Sequence, residues 1–334
     1  MRICVVGAGA IGGLIAVKLA EIGEEVTAIA RGAHLAAARE QGLKLLMDGV
    51  EHVARVRATD RIAEAGPQDV VILALKAHQL STVAPELRAL LGPDTTVVTA
   101  QNGIPWWYFI DHGGPYQGKR LESVDPGGVI AEHLDARRVV GSIIYPASEI
   151  VAPGVIQHIE GNRISLGELD GRETERLRKL LELFRRAGFK TRASSDIRAE
   201  IWLKLWGNLT FNPVSALTHA TLVDLCRFPP TRALAASMMG EAQHIAEKLG
   251  VSLPLSIEKR IAGAESVGAH KTSMLQDVES GRPLEIEALL GSVIELGALT
   301  GTPTPHLDAV YACVSLLAKT LIDGRGRLRV LPAG

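Results

Sequence analysis

The chain opens Arg2-Ile3-Cys4-Val5-Val6-Gly7-Ala8-Gly9-Ala10-Ile11-Gly12, and the reading of this stretch decides the fold. A short β-type run stops at a GxGxxG, and Ile11, Leu14, Ile15, Leu19 and Ile22 then recur at helical spacing until Gly23. A lone GxGxxG carries little information. Placed between a strand and a helix, it signifies a dinucleotide site. Gly7 permits the tight turn, Gly9 lets the backbone approach a pyrophosphate, and Gly12 lets the helix pack closely on the strand. The phosphates are expected on the unspent N–H groups at the start of the helix.

Outward from the turn, strands and helices alternate. Residues 25–30, 69–75 and 95–99 read as buried strands, with a helix around 80–91. Parallel strands need crossover helices, so this alternation predicts a doubly wound parallel sheet of Rossmann type. Short strands resume at 139–145, 155–159 and 163–166, followed by a helix near 173–187 and a last strand at 189–192. After Asp196 the chain reads almost entirely as helix, most clearly over 196–212, 232–249 and 284–300. The fold class is therefore α/β: an N-terminal Rossmann-type domain over 1–194, an all-α domain over 195–325 and a frayed tail over 326–334. Between Pro105 and Asp135 neither periodicity survives, yet Trp106, Trp107, Tyr108 and Phe109 stand in a row. Two readings of that run are open, packing at a domain or subunit interface and a cover over the active site.

At 334 residues the chain has about twice the length of one typical domain. Lys plus Arg number 36 against 37 Asp plus Glu, a formal net charge of -1, which supplies no field for nucleic acid or an anionic membrane. Cys4, Cys226 and Cys313 lie far apart without His at ligand spacing, so neither a metal site nor a disulfide framework is expected. No apolar stretch approaches the ~18 residues that span a bilayer, and glycines interrupt the N-terminal apolar run too early for a signal peptide. A cytoplasmic enzyme or binding protein for small molecules fits these bounds.

The second strand ends Ala30-Arg31-Gly32, where an NAD binder usually places an acid on the ribose 2′-hydroxyl. A guanidinium there suits a 2′-phosphate, so NADP (NADPH) is the expected cofactor. In the helical half, Glu200, Lys204, Asn208 and Asn212 recur every four residues along one slowly drifting face. The other faces carry Ile201, Trp202, Leu203, Leu205, Trp206, Leu209 and Phe211, so the helix is expected to be largely buried. A lysine on such a helix needs a partner, which Glu200 or a ligand would supply. Asp196 is placed to cap the helix, and Pro213 is expected to end it. Ser273, Gln276 and Asp277, then Glu285 and Glu287, form a second polar set that by itself reads as caps and surface charge.

These segments resemble a known family. The run RAEIWLKLWGNLTFNPVSALT at 198–218, SMLQD at 273–277 and LEIEALLG at 284–291 are similar to ketopantoate reductase (2-dehydropantoate 2-reductase). Lys76-Ala77-His78-Gln79 and Gln101-Asn102-Gly103 match the same family, in the same order along nearly the whole chain. The resemblance implies an enzyme of pantothenate biosynthesis that reduces a 2-keto acid with NADPH. It implies Lys204 as general acid, with Asn208, Asn212 and Ser273 holding the substrate's carboxylate and hydroxyl. It places Gly7 to Gly12, Arg31, Lys76, Asn102 and Ala147 on the cofactor, and Glu285 beside the nicotinamide ribose and the lysine.

The chain departs from the family at Tyr145-Pro146-Ala147, at Leu222 where some members carry a substrate-binding Asn, and in the length of the aromatic stretch. These positions bear on the pocket rather than on hydride transfer. Another 2-keto acid, a related 2-hydroxyacid or opine-type dehydrogenase and a non-catalytic NADP-sensing module therefore stand as alternatives to ketopantoate reduction. A homodimer is compatible with the helical half, and nothing in the sequence fixes it.

Overall fold

The computed structural model describes residues 1–330, so the last four residues of the expected tail lie outside it. The chain divides into two units. The first comprises Met1–Gln101, Trp106–Arg120 and Asp125–Ile197, and the second comprises Asn102–Pro105, Leu121–Val124 and the chain from Arg198 onward.

The first unit holds all twelve strands assigned among the described residues: β1 (Arg2–Val6), β2 (Glu25–Ile29), β3 (Leu43–Met47), β4 (Val50–Ala54), β5 (Arg57–Thr59), β6 (Gln68–Leu73), β7 (Leu91–Thr99), β8 (Val139–Ile144), β9 (Ala147–Ala152), β10 (Val155–Glu160), β11 (Arg163–Glu168) and β12 (Lys190–Ala193). Its helices are α1 (Ala10–Glu21), α2 (Gly32–Gln41), α3 (Ala77–Leu87), α4 (Val129–His133) and α5 (Glu175–Arg186). Eight strands form one sheet in the order β12-β11-β8-β7-β6-β1-β2-β5. Six of the seven pairings are parallel, as the βαβ alternation predicts. The exception is β8 with β11, which run antiparallel. The chain between them makes a hairpin instead of a crossover helix, and a hairpin returns it in the opposite direction.

That hairpin, β9–β10, joins a second sheet in the order β4-β3-β10-β9. The β3–β4 turn is Asp48-Gly49, both with positive φ (52° and 78°), the backbone of a tight hairpin turn. This small sheet lies against α1. The approach is close: a Cβ on Gly13 would stand 2.7 Å from Ile156 Cδ1. On its other side α1 meets the strand–turn that precedes it, where a Cβ on Gly12 would fall 2.1 Å from Gly7 O. Layered on two sides, α1 buries Gly12, Gly13, Leu14, Ile15, Ala16, Val17 and Leu19.

The aromatic run is packed core. Trp106, Trp107, Tyr108 and Phe109 are all buried. Trp107 lies on β8, where a Cβ on Gly141 would be 2.9 Å from its ring, and donates Nε1–H to Thr99 Oγ1 at 3.2 Å. The 105–135 segment, read as irregular, also contains α4, whose first N–H groups are received by the fully buried carboxylate of Asp125 (2.7 Å from Ile130 N, 3.1 Å from Ala131 N).

The second unit is helical: α6 (Ile197–Thr218, begun at the unit boundary), α7 (Leu222–Arg227), α8 (Pro229–Lys248), α9 (Ile257–Ser266), α10 (Ser273–Ser280), α11 (Ser292–Thr300) and α12 (Pro305–Asp323). A π-helical turn over Glu287–Gly291 leads into α11. The expectation that Pro213 ends the long helix is corrected: α6 runs through it to Thr218. An interior proline costs about 3 kcal/mol through its missing N–H and its clash with the preceding turn. Here Asn212, Val214, Ser215 and Ala216 are all buried around it, so tertiary packing outweighs the local penalty. Among the described residues no helix is long and apolar enough to cross a membrane, and no group of three His, Cys, Asp or Glu is disposed to hold a metal.

The glycine turn generates a paired test. Gly12→Val drives a side chain into Gly7 O and is expected to cost about 1–3 kcal/mol in chemical denaturation. Gly9 has an extended backbone (φ -76°, ψ -150°) and open space where its Cβ would be, so Gly9→Ala is expected to change stability by less than about 0.5 kcal/mol.

Candidate active site

In the first unit, the predicted cofactor residues gather where β1, β2 and β6 end. Gly7 adopts φ +94°, and a Cβ there would lie 2.8 Å from Leu75 N, so the turn threads directly past the segment leading from β6 to Lys76. Ala8 N–H donates to Ile29 O at 2.8 Å, which ties the turn to the end of β2 beside Arg31. Gly9 caps α1 without any side-chain hydrogen bond, and no acidic residue occupies the first turn. The helix start thus keeps its N–H groups and its positive dipole end for an anion. The clear space at Gly9 is the feature a pyrophosphate requires, and these residues fit a dinucleotide. Arg31 is exposed, extends from the end of β2 and precedes α2, whose first turn is also free of acids. Lys76 precedes α3, and Ala147 begins β9.

In the second unit, the apolar faces of α6 are buried as its composition predicts, with Trp202, Trp206 and Leu209 fully enclosed. Lys204 keeps some solvent-accessible surface, yet protein atoms surround its ammonium closely. Its Nζ donates to Asn102 Oδ1 at 2.7 Å. Desolvation pushes its pKa down from 10.5 to about 8, against the opposing pull of the Glu285 carboxylate. Further along α6, Asn212 Nδ2 donates to Ser273 Oγ at 3.4 Å, joining the stripe to the start of α10. Asn208 lies between Lys204 and Asn212 on the same drifting face. The second unit therefore brings together Lys204, Asn102 and Glu285, and separately Asn212 and Ser273.

The sequence reading missed what holds Asn102 in place. Gly103 has φ +88°, and a Cβ there would stand 2.2 Å from Ala288 O. Next to it Ile104 N–H donates to Ala288 O at 3.0 Å. Ala288 belongs to the π-helical turn, in which Ser292 N–H reaches back five residues to Glu287 O. The buried Ser292 Oγ adds a second hydrogen bond to Ala288 O at 2.8 Å. The segment carrying Asn102 is thereby clamped to the turn that follows Glu285, which fixes both partners of the lysine relative to one frame. The glycine after Asn102 was the available signal, although its contact depends on a long-range approach.

A GxGxxG α/β unit coupled in one chain to an all-α unit with a desolvated lysine defines the class of dinucleotide-dependent oxidoreductases. Residues 3–113 match the family described as ketopantoate reductase PanE/ApbA, and residues 196–318 match its C-terminal region. A 2-dehydropantoate 2-reductase of Mesorhizobium japonicum is 54% identical over 95% of this chain and 98% of its own. The structure of a ketopantoate reductase candidate from Ralstonia solanacearum MolK2 superposes with a TM-score of 0.92 at 46% identity, covering 96% of this chain and 98% of that one. That of a 2-dehydropantoate 2-reductase from Geobacter metallireducens GS-15 gives 0.83 at 27%, covering 95% and 100%. The chain belongs to the ketopantoate reductase family.

The state of the lysine is directly measurable. Only the neutral amine acylates, so Lys204 modification read by mass spectrometry is expected to rise with a half-point near pH 8, well below ordinary lysines. Glu285→Gln removes the charge that favours the ammonium and is expected to move that half-point lower.

Proposed function

We propose that this protein reduces 2-dehydropantoate to pantoate with NADPH, with Lys204 as the general acid. The observation that carries the reading is the ammonium of Lys204, held at 2.7 Å by Asn102, biased by Glu285 and tuned to a pKa of about 8. When bound, the reduced nicotinamide supplies the hydride for the keto carbon. As negative charge grows on the carbonyl oxygen, Lys204 donates a hydrogen bond to it and then the proton. A pKa near 8 leaves the amine mostly protonated at neutral pH, yet a far better donor than an ordinary lysine. Asn102 accepts from Nζ and so aims it, while Glu285 opposes the loss of the proton that burial favours.

Asn208, Asn212 and Ser273 supply neutral amide and hydroxyl groups, which orient a polar substrate without competing for the proton. Gly7, Ala8, Gly9, Ala10, Ile11 and Gly12 hold the pyrophosphate, with Lys76, Asn102, Ala147 and Glu285 as further cofactor contacts. Arg31 takes the 2′-phosphate and sets the preference for NADPH over NADH. In this reading residues 1–194 serve the cofactor and 195–325 the substrate, in a cytoplasmic enzyme whose partner is a small keto acid.

NADPH oxidation by the purified protein with 2-dehydropantoate tests the proposal. Turnover is expected, and Lys204→Ala is expected to lower kcat by about 100- to 10,000-fold. Arg31→Ala is expected to raise the KM for NADPH by about 10- to 100-fold and to leave that for NADH nearly unchanged. Lys204→Ala turning over at the wild-type rate would remove the lysine from its role. Unaltered discrimination in Arg31→Ala would remove the arginine.

A further inference from the structure

His34 is the third residue of α2, the helix that Arg31 caps. Only Leu35 and Ala38 of this helix are buried, so apolar packing anchors it thinly. A second attachment comes from Pro153-Gly154, the turn of the β9–β10 hairpin. Gly154 adopts φ +76° and is held at three points. Its N–H donates to His34 Nδ1 at 3.0 Å, and its carbonyl accepts from Lys44 N–H of β3 at 2.8 Å. A Cβ on it would stand 2.9 Å from Ala37 Cβ, which shares a face of α2 with His34. The carbonyl of Ala8, in the glycine turn, acts on the same imidazole. One ring therefore meets α2, the hairpin turn and the glycine turn.

The direction of the Gly154 bond fixes the state of the ring. Nδ1 accepts, so the hydrogen of the neutral imidazole sits on Nε2, which is shut off from solvent. Protonation would place an N–H on Nδ1, facing the N–H of Gly154. Burial also favours the neutral ring and outweighs the Ala8 carbonyl, holding the pKa below its ordinary 6.5. The turns Gly7-Ala8-Gly9 and Pro153-Gly154 carry no ionisable side chain. Lys44 of β3 pairs with Glu51 at 3.5 Å, and Arg39 of α2 with Asp60 at 3.8 Å. Neither these nor Arg31 and Glu40 of α2 are among the influences on the ring. Both segments joined by His34 lead to residues assigned above to the cofactor, α2 to Arg31 and β9 to Ala147. We propose that His34 is a positioning residue for the dinucleotide: its neutral ring pins the hairpin turn and α2 beside the glycine turn, and acid unpins them and weakens cofactor binding. This assignment rests on the reading of the first unit as a dinucleotide site.

The test is calorimetric titration of the full chain with NADP+ from pH 8 to pH 5, for the wild type, His34→Asn and His34→Ala, each checked as folded by circular dichroism. Asparagine keeps an acceptor near the position of Nδ1 but does not titrate. The 2′-phosphate itself titrates near pH ~6 with every variant, so the quantity read is the ratio of wild-type Kd to that of His34→Asn. At pH 8 the two are expected to bind within about twofold of each other, and His34→Ala about 5- to 10-fold more weakly, the worth of one hydrogen bond. At pH 5 the wild type is expected to have lost about 5- to 10-fold relative to His34→Asn. A ratio that stays constant across the range overturns the assignment. So does tighter wild-type binding at pH 5, which would make the ring a cation for the phosphates, and so does His34→Asn binding as weakly as His34→Ala at pH 8. Wild type that binds NADP+ at no pH overturns the dinucleotide reading itself, and is thereby distinguished from a failure of His34.

Discussion

The second unit is organised around one cost, the removal of an ammonium from most of its water. An isolated buried charge is strongly disfavoured, and the usual response of a lysine is to lose its proton. Lys204 goes part of the way, to a pKa of about 8, and stops there because Glu285 favours the charged form. Asn102 then fixes the direction of the N–H groups with a 2.7 Å hydrogen bond. Weaker desolvation would leave an ordinary lysine, and loss of the carboxylate would leave less of the charged form at neutral pH. The pair of opposing influences sets the ionisation of the lysine, and the surrounding segments hold both in place.

Each unit contains one close backbone approach, and each depends on a glycine. At Gly103 the chain passes so near Ala288 O that any side chain would collide, and the π-helical turn presents that carbonyl to Ile104 N–H. In the first unit Gly12 sets α1 against Gly7 O, while Gly9 leaves open space at the helix start. Both devices trade helix or turn propensity for proximity. The first holds Asn102 against the turn that follows Glu285, and the second leaves the start of α1 open.

Much of this was legible in the sequence because it is local. The alternation of strands and helices after the GxGxxG turn announced the parallel sheet, and four-residue spacing put Lys204, Asn208 and Asn212 on one face of an otherwise apolar helix. Where long-range packing decides, the reading faltered. Pro213 was expected to stop α6, but its buried neighbours carry the helix through. The β3–β4 hairpin went unread although Asp48-Gly49 is a strong turn signal, because its strands are short and only half alternate. The 105–135 segment lacks periodicity, yet Trp107 is held by Gly141 and Thr99, contacts that no window of sequence contains. The clamp on Ala288 is likewise a meeting of distant segments, invisible until the backbone is folded.

The pH dependence of kcat/KM for keto-acid reduction, followed from pH 6 to 10 at saturating NADPH, bears most directly on the central claim. The donor must carry its proton, so the rate is expected to hold level at low pH and to fall tenfold per unit above a single ionisation near pH 8. The reverse oxidation, which needs the neutral amine, is expected to rise through the same midpoint. A reductive rate that stays flat to pH 10 would contradict the account.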